Sequence, residues 1–509
     1  MLIKTLWTSV CLSMLCLSPA GAETPSWLAP YLSSKRADKP ELRWREAVVQ
    51  HRNTRVLLTS ERVQTLSGQP GTIGAARILA ALTTRNIPLP DGTPLGDIAG
   101  DWALTPLPEV SLYRVTYRAP GPRGQSTKLS GLVVVPEAGT PSLQGILVYM
   151  HATATQQNDA PSDRSQEAYA ALTAFADSSH VLAMPDYPGY GINHGNHPYA
   201  MGERNAPSGR GIILAARELM KHLKRPVGDT LLITGYSEGG GNAFGLSRFL
   251  EARAEPGLWP TRTAPMSGPY DLSGATALSF IGAQPPLSYQ ENFTSKPTLL
   301  SFAGISTARI IHQPLDTLLK EPLAREARRQ LPGRLSESSL GSRLLTTVVD
   351  QLGYVDLETL SPNPENLLNP SLVTAIRTQD VSNPAMALWA QNNTVDWVPR
   401  APVLLLGILQ DELVPFAATR YPIPPAWNPL KPAAPPYAQG NAQNVITAMR
   451  KKGIGRERVG WTAFNGAVQS LTQPVTMSHA DGLLPCSLLA QAFLYHPKTP
   501  IPQLADPSE

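Results

Sequence analysis

The sequence predicts an α/β fold: a mostly parallel sheet with helices on both faces and a helical insertion. Three observations carry that expectation. Short, nearly continuous apolar runs recur at 145–150, 181–185, 231–234, 262–266 and 403–408, as in strands buried on both faces. Helical patterns at 166–176, 209–223 and 242–254 separate several of them, so strand and helix alternate along the chain. Between Tyr270 and about Pro399 the alternation then lapses for roughly 130 residues, far beyond an ordinary connection, before sheet-like runs resume.

Taken in order, residues 1–22 carry a lysine at position 4, an apolar stretch from Leu6 to Leu17, and small residues Ala20 and Ala22, the pattern of a cleavable secretory signal peptide. The run is shorter than the ~20 residues that span a bilayer, which makes a retained anchor the weaker reading. Cys11 and Cys16 lack the small preceding residues of a lipoprotein signal, so the mature chain is expected to be free, secreted or periplasmic. Its one remaining cysteine, Cys486, permits no intrachain disulfide, and burial must stabilise the fold. Charged residues make up 16% against a typical value of about 25%, and 50 prolines suit stiffened loops outside the cytoplasm. A net charge of +4, scattered along the chain, gives no case for nucleic acid as a partner.

Residues 23–110 show mixed helical patterning, with a helix expected near 73–82 and no cluster of chemical groups; they form an N-terminal prelude packed on the core. Alternating segments at 111–117 and 129–135 predict an antiparallel hairpin leading into the parallel sheet. The core then comprises 111–269 and 400–509, split by a helical cap at 270–399 with helices near 315–331 and 340–352. An independent domain at 270–399 is the alternative. The chain closes with a Pro-rich loop (421–437), a helix (441–452), a last strand (459–464) and a C-terminal helix (483–495), and no internal repeat is found.

The chemistry centres on residues 231–241, Leu-Leu-Ile-Thr-Gly-Tyr-Ser-Glu-Gly-Gly-Gly. Gly235, Ser237 and Gly239 form a G-x-S-x-G nucleophile elbow between a strand and a helix, where a strained turn lifts the serine hydroxyl above the sheet edge. A flexible glycine-rich loop is the bland reading; the flanking strand and helix argue against it. A serine hydroxyl is a poor nucleophile at neutral pH and needs a histidine base oriented by an acid, in the chain order Ser, acid, His. Asp411 leaves the apolar run 403–410 and is the expected acid, with Asp396, which precedes that strand, and Glu412 as alternatives. His479 lies between the last strand and the C-terminal helix, where the base belongs; His180 and His496 would face away, and His194, His197 and His312 come too early. Two fixed N–H donors must receive the tetrahedral oxyanion. One is expected from Glu238, just after the nucleophile. The other is expected from Thr153, because His151-Ala152-Thr153 is similar to the His-Gly-x segment of many hydrolases, with Ala152 in place of glycine.

This set resembles the secretory lipase family of fungal and bacterial α/β-hydrolases. The likeness rests on the hairpin ending Leu-Val-Val-Val-Pro, the His-Ala-Thr loop, Pro-Asp-Tyr-Pro-Gly-Tyr-Gly at 185–191, the elbow, and Asp-Glu-Leu-Val-Pro at 411–415, in order from about residue 110 onward. It implies the α/β-hydrolase fold and a carboxylic ester hydrolase with a helical cap over an acyl-binding pocket. Asp186 and Tyr187 would then lie near the site, or serve only the turn. The expected partner is a small-molecule or lipid ester substrate, with transient contact at a lipid surface; oligomeric state is left open. No H-E-x-x-H spacing, cysteine-rich zinc pattern or dinucleotide fingerprint is found, so neither metal nor cofactor is expected. The rival readings are a serine peptidase of the same fold, which lacks support from any blade-like repeat ahead of the core, and a catalytically dead hydrolase fold used for binding.

Overall fold

The computed structural model describes residues 49–50, 56–66, 73–100, 107–121, 125–137, 142–281, 289–331, 333, 335–352, 364–409, 411, 413–418, 439–464, 467–469 and 474–507. The expected signal peptide and Pro-rich loop lie outside them. The strands of the main sheet are β1 (Val49–Gln50), β2 (Leu57–Leu66), β3 (Val110–Pro120), β4 (Ser126–Pro136), β5 (Leu143–Met150), β6 (His180–Pro185), β7 (Val227–Tyr236), β8 (Arg262–Met266), β9 (Val403–Ile408) and β10 (Val459–Phe464). They lie in the order β1-β2-β3-β4-β6-β5-β7-β8-β9-β10. Strands β1 to β4 are antiparallel, β4 pairs antiparallel with β6, and every pair from β6 to β10 is parallel.

Helices follow the strands as the alternation requires. They are α1 (Ile73–Thr84), α2 (Leu95–Ala99), α3 (Gln166–Phe175), α4 (Gly202–His222) and α5 (Glu238–Arg253). Then come α6 (Ala277–Ile281), α7 (Tyr289–Ile311), α8 (Leu323–Gln330), α9 (Glu337–Leu352), α10 (Pro370–Thr378) and α11 (Pro384–Gln391), all between β8 and β9, and finally α12 (Asn441–Lys451) and α13 (Leu483–Tyr495). Because strand side chains alternate, β5 sends Leu147 and Tyr149 into one apolar layer with α3 and α13. Ile146, Val148 and Met150 go into the opposite layer with α4 and α5. Both faces are therefore buried, which is why these strands read as unbroken apolar runs. The helices between β8 and β9 have an apolar cluster of their own, including Leu300, Leu319, Leu340, Ile376 and Trp389.

Three elements differ from expectation, each for a physical reason. Residues 57–66, expected within mixed helical patterning, form a strand on the edge of β3; two register irregularities against β3 break the period-2 signal that would have marked it. Helix α4 starts at Gly202 rather than near 209, although Asn205, Pro207, Ser208 and Gly209 are poor helix formers. Tertiary packing overrides propensity there: a Cβ on Gly245 would sit 2.6 Å from the Gly202 backbone, so the two helices cross with their main chains in contact. The expected helix at 315–331 splits into a single turn (Leu315–Thr317) and α8, which starts just after Pro322, a residue that cannot continue a helix.

Candidate active site

The chain crosses from β6 over β5 to β7, so the carboxyl ends of β5 and β7 lie at a reversal of strand order, the place where open parallel sheets hold ligands. Ser237 stands at the end of β7 with φ 57° and ψ −123°, a backbone conformation that L residues rarely adopt. Its own N–H donates to Met266 O at 3.0 Å, fixing the turn to β8. The flanking glycines are required by contact. A Cβ on Gly235 would lie 2.4 Å from Met150 O, and one on Gly239 would lie 2.0 Å from the same oxygen.

Asp411, in the loop after β9, is fully buried. Its Oδ1 accepts the N–H groups of Val414 (2.7 Å) and Leu413 (3.1 Å), leaving Oδ2 to accept His479 Nδ1–H at 2.7 Å. On the other side of the ring, His479 Nε2 lies 2.8 Å from Ser237 Oγ, as acceptor for the hydroxyl. The His479 loop is itself tied down. Tyr236 O–H donates to His479 O, and Asp481 Oδ2 accepts both Ser478 N–H and O–H at 2.9 Å. Three residues expected from sequence are thus in one hydrogen-bonded line. Asp396 is elsewhere, 93% exposed near Lys452, and Glu412 lies outside the described residues. His180 sits at the start of β6, hence at the opposite sheet edge, bonded to Asp177.

Glu238 and Thr153 both line the cavity beside Ser237. As the first residue of α5, Glu238 has an N–H that the helix cannot satisfy, and among the described residues no protein acceptor takes the Thr153 N–H. The Glu238 side chain points to a separate role. Its Oε1 accepts His197 Nε2–H at 2.7 Å and Ala200 N–H at 2.9 Å. Burial alone would raise this carboxyl, but the His197 charge and the hydrogen bonds outweigh it and hold it below the usual range. His197 thus lies behind the elbow. Sequence reasoning missed that pairing, and it also missed Tyr199, whose hydroxyl bonds Thr153 Oγ1 at 3.0 Å. Asp186 and Tyr187 serve the turn: Asp186 accepts Ser130 O–H (2.5 Å) and Ser162 N–H (2.8 Å), and Tyr187 stacks on His151.

Above Ser237 lies a cavity of about 490 Å³. The helices between β8 and β9 line it with Leu272, Phe280, Leu299, Ala303 and Trp389, and the core adds Leu413, Val414 and Leu483. Its polar wall includes Gln156, Asp159, Glu167, Ser336 and Ser338. Backbone pairing of Gln156 with Gly333 joins the loop after Thr153 to the helical segment.

A Legionella pneumophila protein assigned provisionally as a hydrolase superposes with a TM-score of 0.63 at 22% identity, over 86% of this chain and 97% of that one. The rice cell wall degrading esterase LipA from Xanthomonas oryzae gives 0.60 at 20% identity, over 86% and 95%. The chain has the α/β-hydrolase fold. No protein-family model matches it, and no curated protein sequence does. In α/β-hydrolase terms, Ser237 stands on the nucleophile elbow, Asp411 after a late strand, and His479 beyond the last strand of the main sheet. A short hairpin, Ala467–Gln469 with Pro474–Thr476, intervenes before His479.

Proposed function

We propose that this protein is a serine carboxylic ester hydrolase, a lipase or esterase, that works through an acyl-enzyme. The observation that carries the reading is the hydrogen-bonded line from Asp411 through His479 to Ser237 beneath an apolar-roofed cavity. Ser237 Oγ attacks the ester carbonyl carbon as its proton passes to His479 Nε2. Asp411 holds the ring through Nδ1–H and stabilises the imidazolium that forms. The carbonyl oxygen, now negative, is received by the Glu238 and Thr153 N–H groups. As the tetrahedral species collapses, the C–O bond to the alcohol breaks and His479 gives its proton to the leaving oxygen. Water then attacks the acyl-serine with His479 as base, releasing the acid and restoring Ser237.

In this reading residues 270–399 are a cap over the acyl-binding pocket, and residues 1–22 export the protein to the periplasm or beyond. The esterase among its structural neighbours supports the reaction class, and the apolar roof supports an acyl group as the buried moiety. Contact with a lipid surface would be transient. The test compares kcat/KM for a chromogenic ester and for a peptide amide of similar size. Ester cleavage that disappears in Ser237→Ala is expected, with residual activity of about a thousandth or less. Cleavage of the amide alone would favour the peptidase, and turnover of neither would favour a binding protein.

A further inference from the structure

The loop that carries Thr153 leaves β5 at Met150, and groups outside the loop hold its course. Tyr187 O–H donates to His151 O at 2.9 Å and Tyr190 O–H to Ala154 O at 2.6 Å, which anchors the carbonyls on either side. The amide side depends on one carboxyl. Glu167 Oε1, from the first turn of α3, accepts Ala152 N–H at 2.7 Å and also Tyr149 O–H at 2.8 Å. Tyr149 is 1% exposed and belongs to the last two residues of β5. A single oxygen therefore ties the end of the strand to the residue just before the donor.

We propose that Glu167 is a positioning residue for the oxyanion site: by sharing one oxygen between Tyr149 O–H and Ala152 N–H, it holds the Thr153 amide in register with Ser237. This rests on the assignment of Ser237 and Thr153 made above. The physical reason is that an oxyanion donor works only as a dipole already in place, and displacement by about 1 Å can cost on the order of 100-fold in rate. Proton transfer is supplied by the Asp411–His479 pair, and among the described residues the hydrogen-bond partners of Glu167 are Tyr149 and Ala152. Glu167 is only partly accessible from the cavity, and burial pushes its carboxyl up to about 7 against the pull of those two bonds.

Two variants separate the acceptor from the charge. Glu167→Gln keeps an oxygen that can accept both donors, whereas Glu167→Ala removes it. The readouts are kcat and KM for a short-chain nitrophenyl ester, and inhibition by a trifluoromethyl ketone, which forms a tetrahedral oxyanion adduct on serine. Glu167→Ala should lower kcat by about 10- to 100-fold and weaken the ketone by a similar factor, with KM within about 3-fold of wild type. Glu167→Gln should stay within about 3-fold of wild type in all three. If Glu167→Ala fails to fold, Glu167→Met fills the same space without an acceptor and takes its place. Unchanged kcat and ketone inhibition without the acceptor would overturn the proposal, as would a Gln variant as impaired as the Ala variant. Wild-type protein inert toward esters would instead mark failure of the underlying functional reading.

Discussion

Asp411 and Asp396 flank the same strand, yet one is fully buried with both oxygens engaged and the other is 93% exposed. Asp411→Asn should therefore lower ester turnover by about three to four orders of magnitude, because an amide presents the wrong partner to His479, while Asp396→Asn should change it less than about 2-fold. The reverse ranking in steady-state kinetics would remove Asp411 from the mechanism. The His197–Glu238 pair makes a second expectation. Its side chains are 7% and 1% exposed, so His197→Ala would strand a buried carboxylate and should cost about 3–5 kcal/mol in urea unfolding. Glu238→Gln, which keeps an oxygen able to accept His197 Nε2–H, should cost less; equal losses would contradict this account. The hydrogen-bonded line of Ser237, His479 and Asp411 was legible because the elbow motif and the Ser, acid, His order constrain it. Glu167, His197 and Tyr199 were not. A glutamate in the first turn of a helix reads as a solvated residue favouring the helix dipole, and nothing in its spacing says that Ala152 will fold against it.

At the scale of elements, the helices between β8 and β9 supply the apolar side of the cavity, and this sets an expectation for chain length. Each methylene buried there can contribute up to about 0.8 kcal/mol, so kcat/KM should rise from acetate through butyrate to octanoate esters of one alcohol. Leu299, on α7, lines the cavity and keeps part of its surface accessible. Leu299→Trp should depress octanoate hydrolysis by more than about 10-fold relative to acetate, by filling space the longer chain needs. A steep fall from acetate onward in the wild type would point instead to a short-chain esterase. The parallel strands were legible because burial on both faces leaves an unbroken apolar run. The helices over the site were less so: α7, with Pro297 within it, and α11 carry no strong stripe of their own, and they are stabilised by packing with α10 around Leu300, Ile376 and Trp389. Strand β2 was hidden by its register irregularities, a feature that only pairing with β3 reveals.

For the molecule as a whole, buried carboxyls link stability to pH. Burial raises Asp186 from 3.8 to about 6, against the hydrogen bonds from Ser130 and Ser162. Between those values the folded protein holds a proton that the unfolded chain has released, so stability falls as pH rises and the full penalty is present above about 6. Asp186→Asn should remove up to about 3 kcal/mol of the difference in unfolding free energy between pH 4 and pH 7. An identical pH dependence in variant and wild type would show that Asp186 is not the source. Glu167, raised in the same direction, leaves a residual slope in both proteins. The central claim is that ester hydrolysis runs through the Ser237 hydroxyl activated by His479, and it is tested most directly by peptide mass spectrometry after inactivation with a nitrophenyl alkylphosphonate. The account predicts one phosphonyl group per chain, on the peptide containing Ser237, with ester turnover lost in proportion to labelling and no adduct in His479→Ala. Full turnover in labelled protein, or an adduct on another residue that tracks the loss of activity, would contradict it.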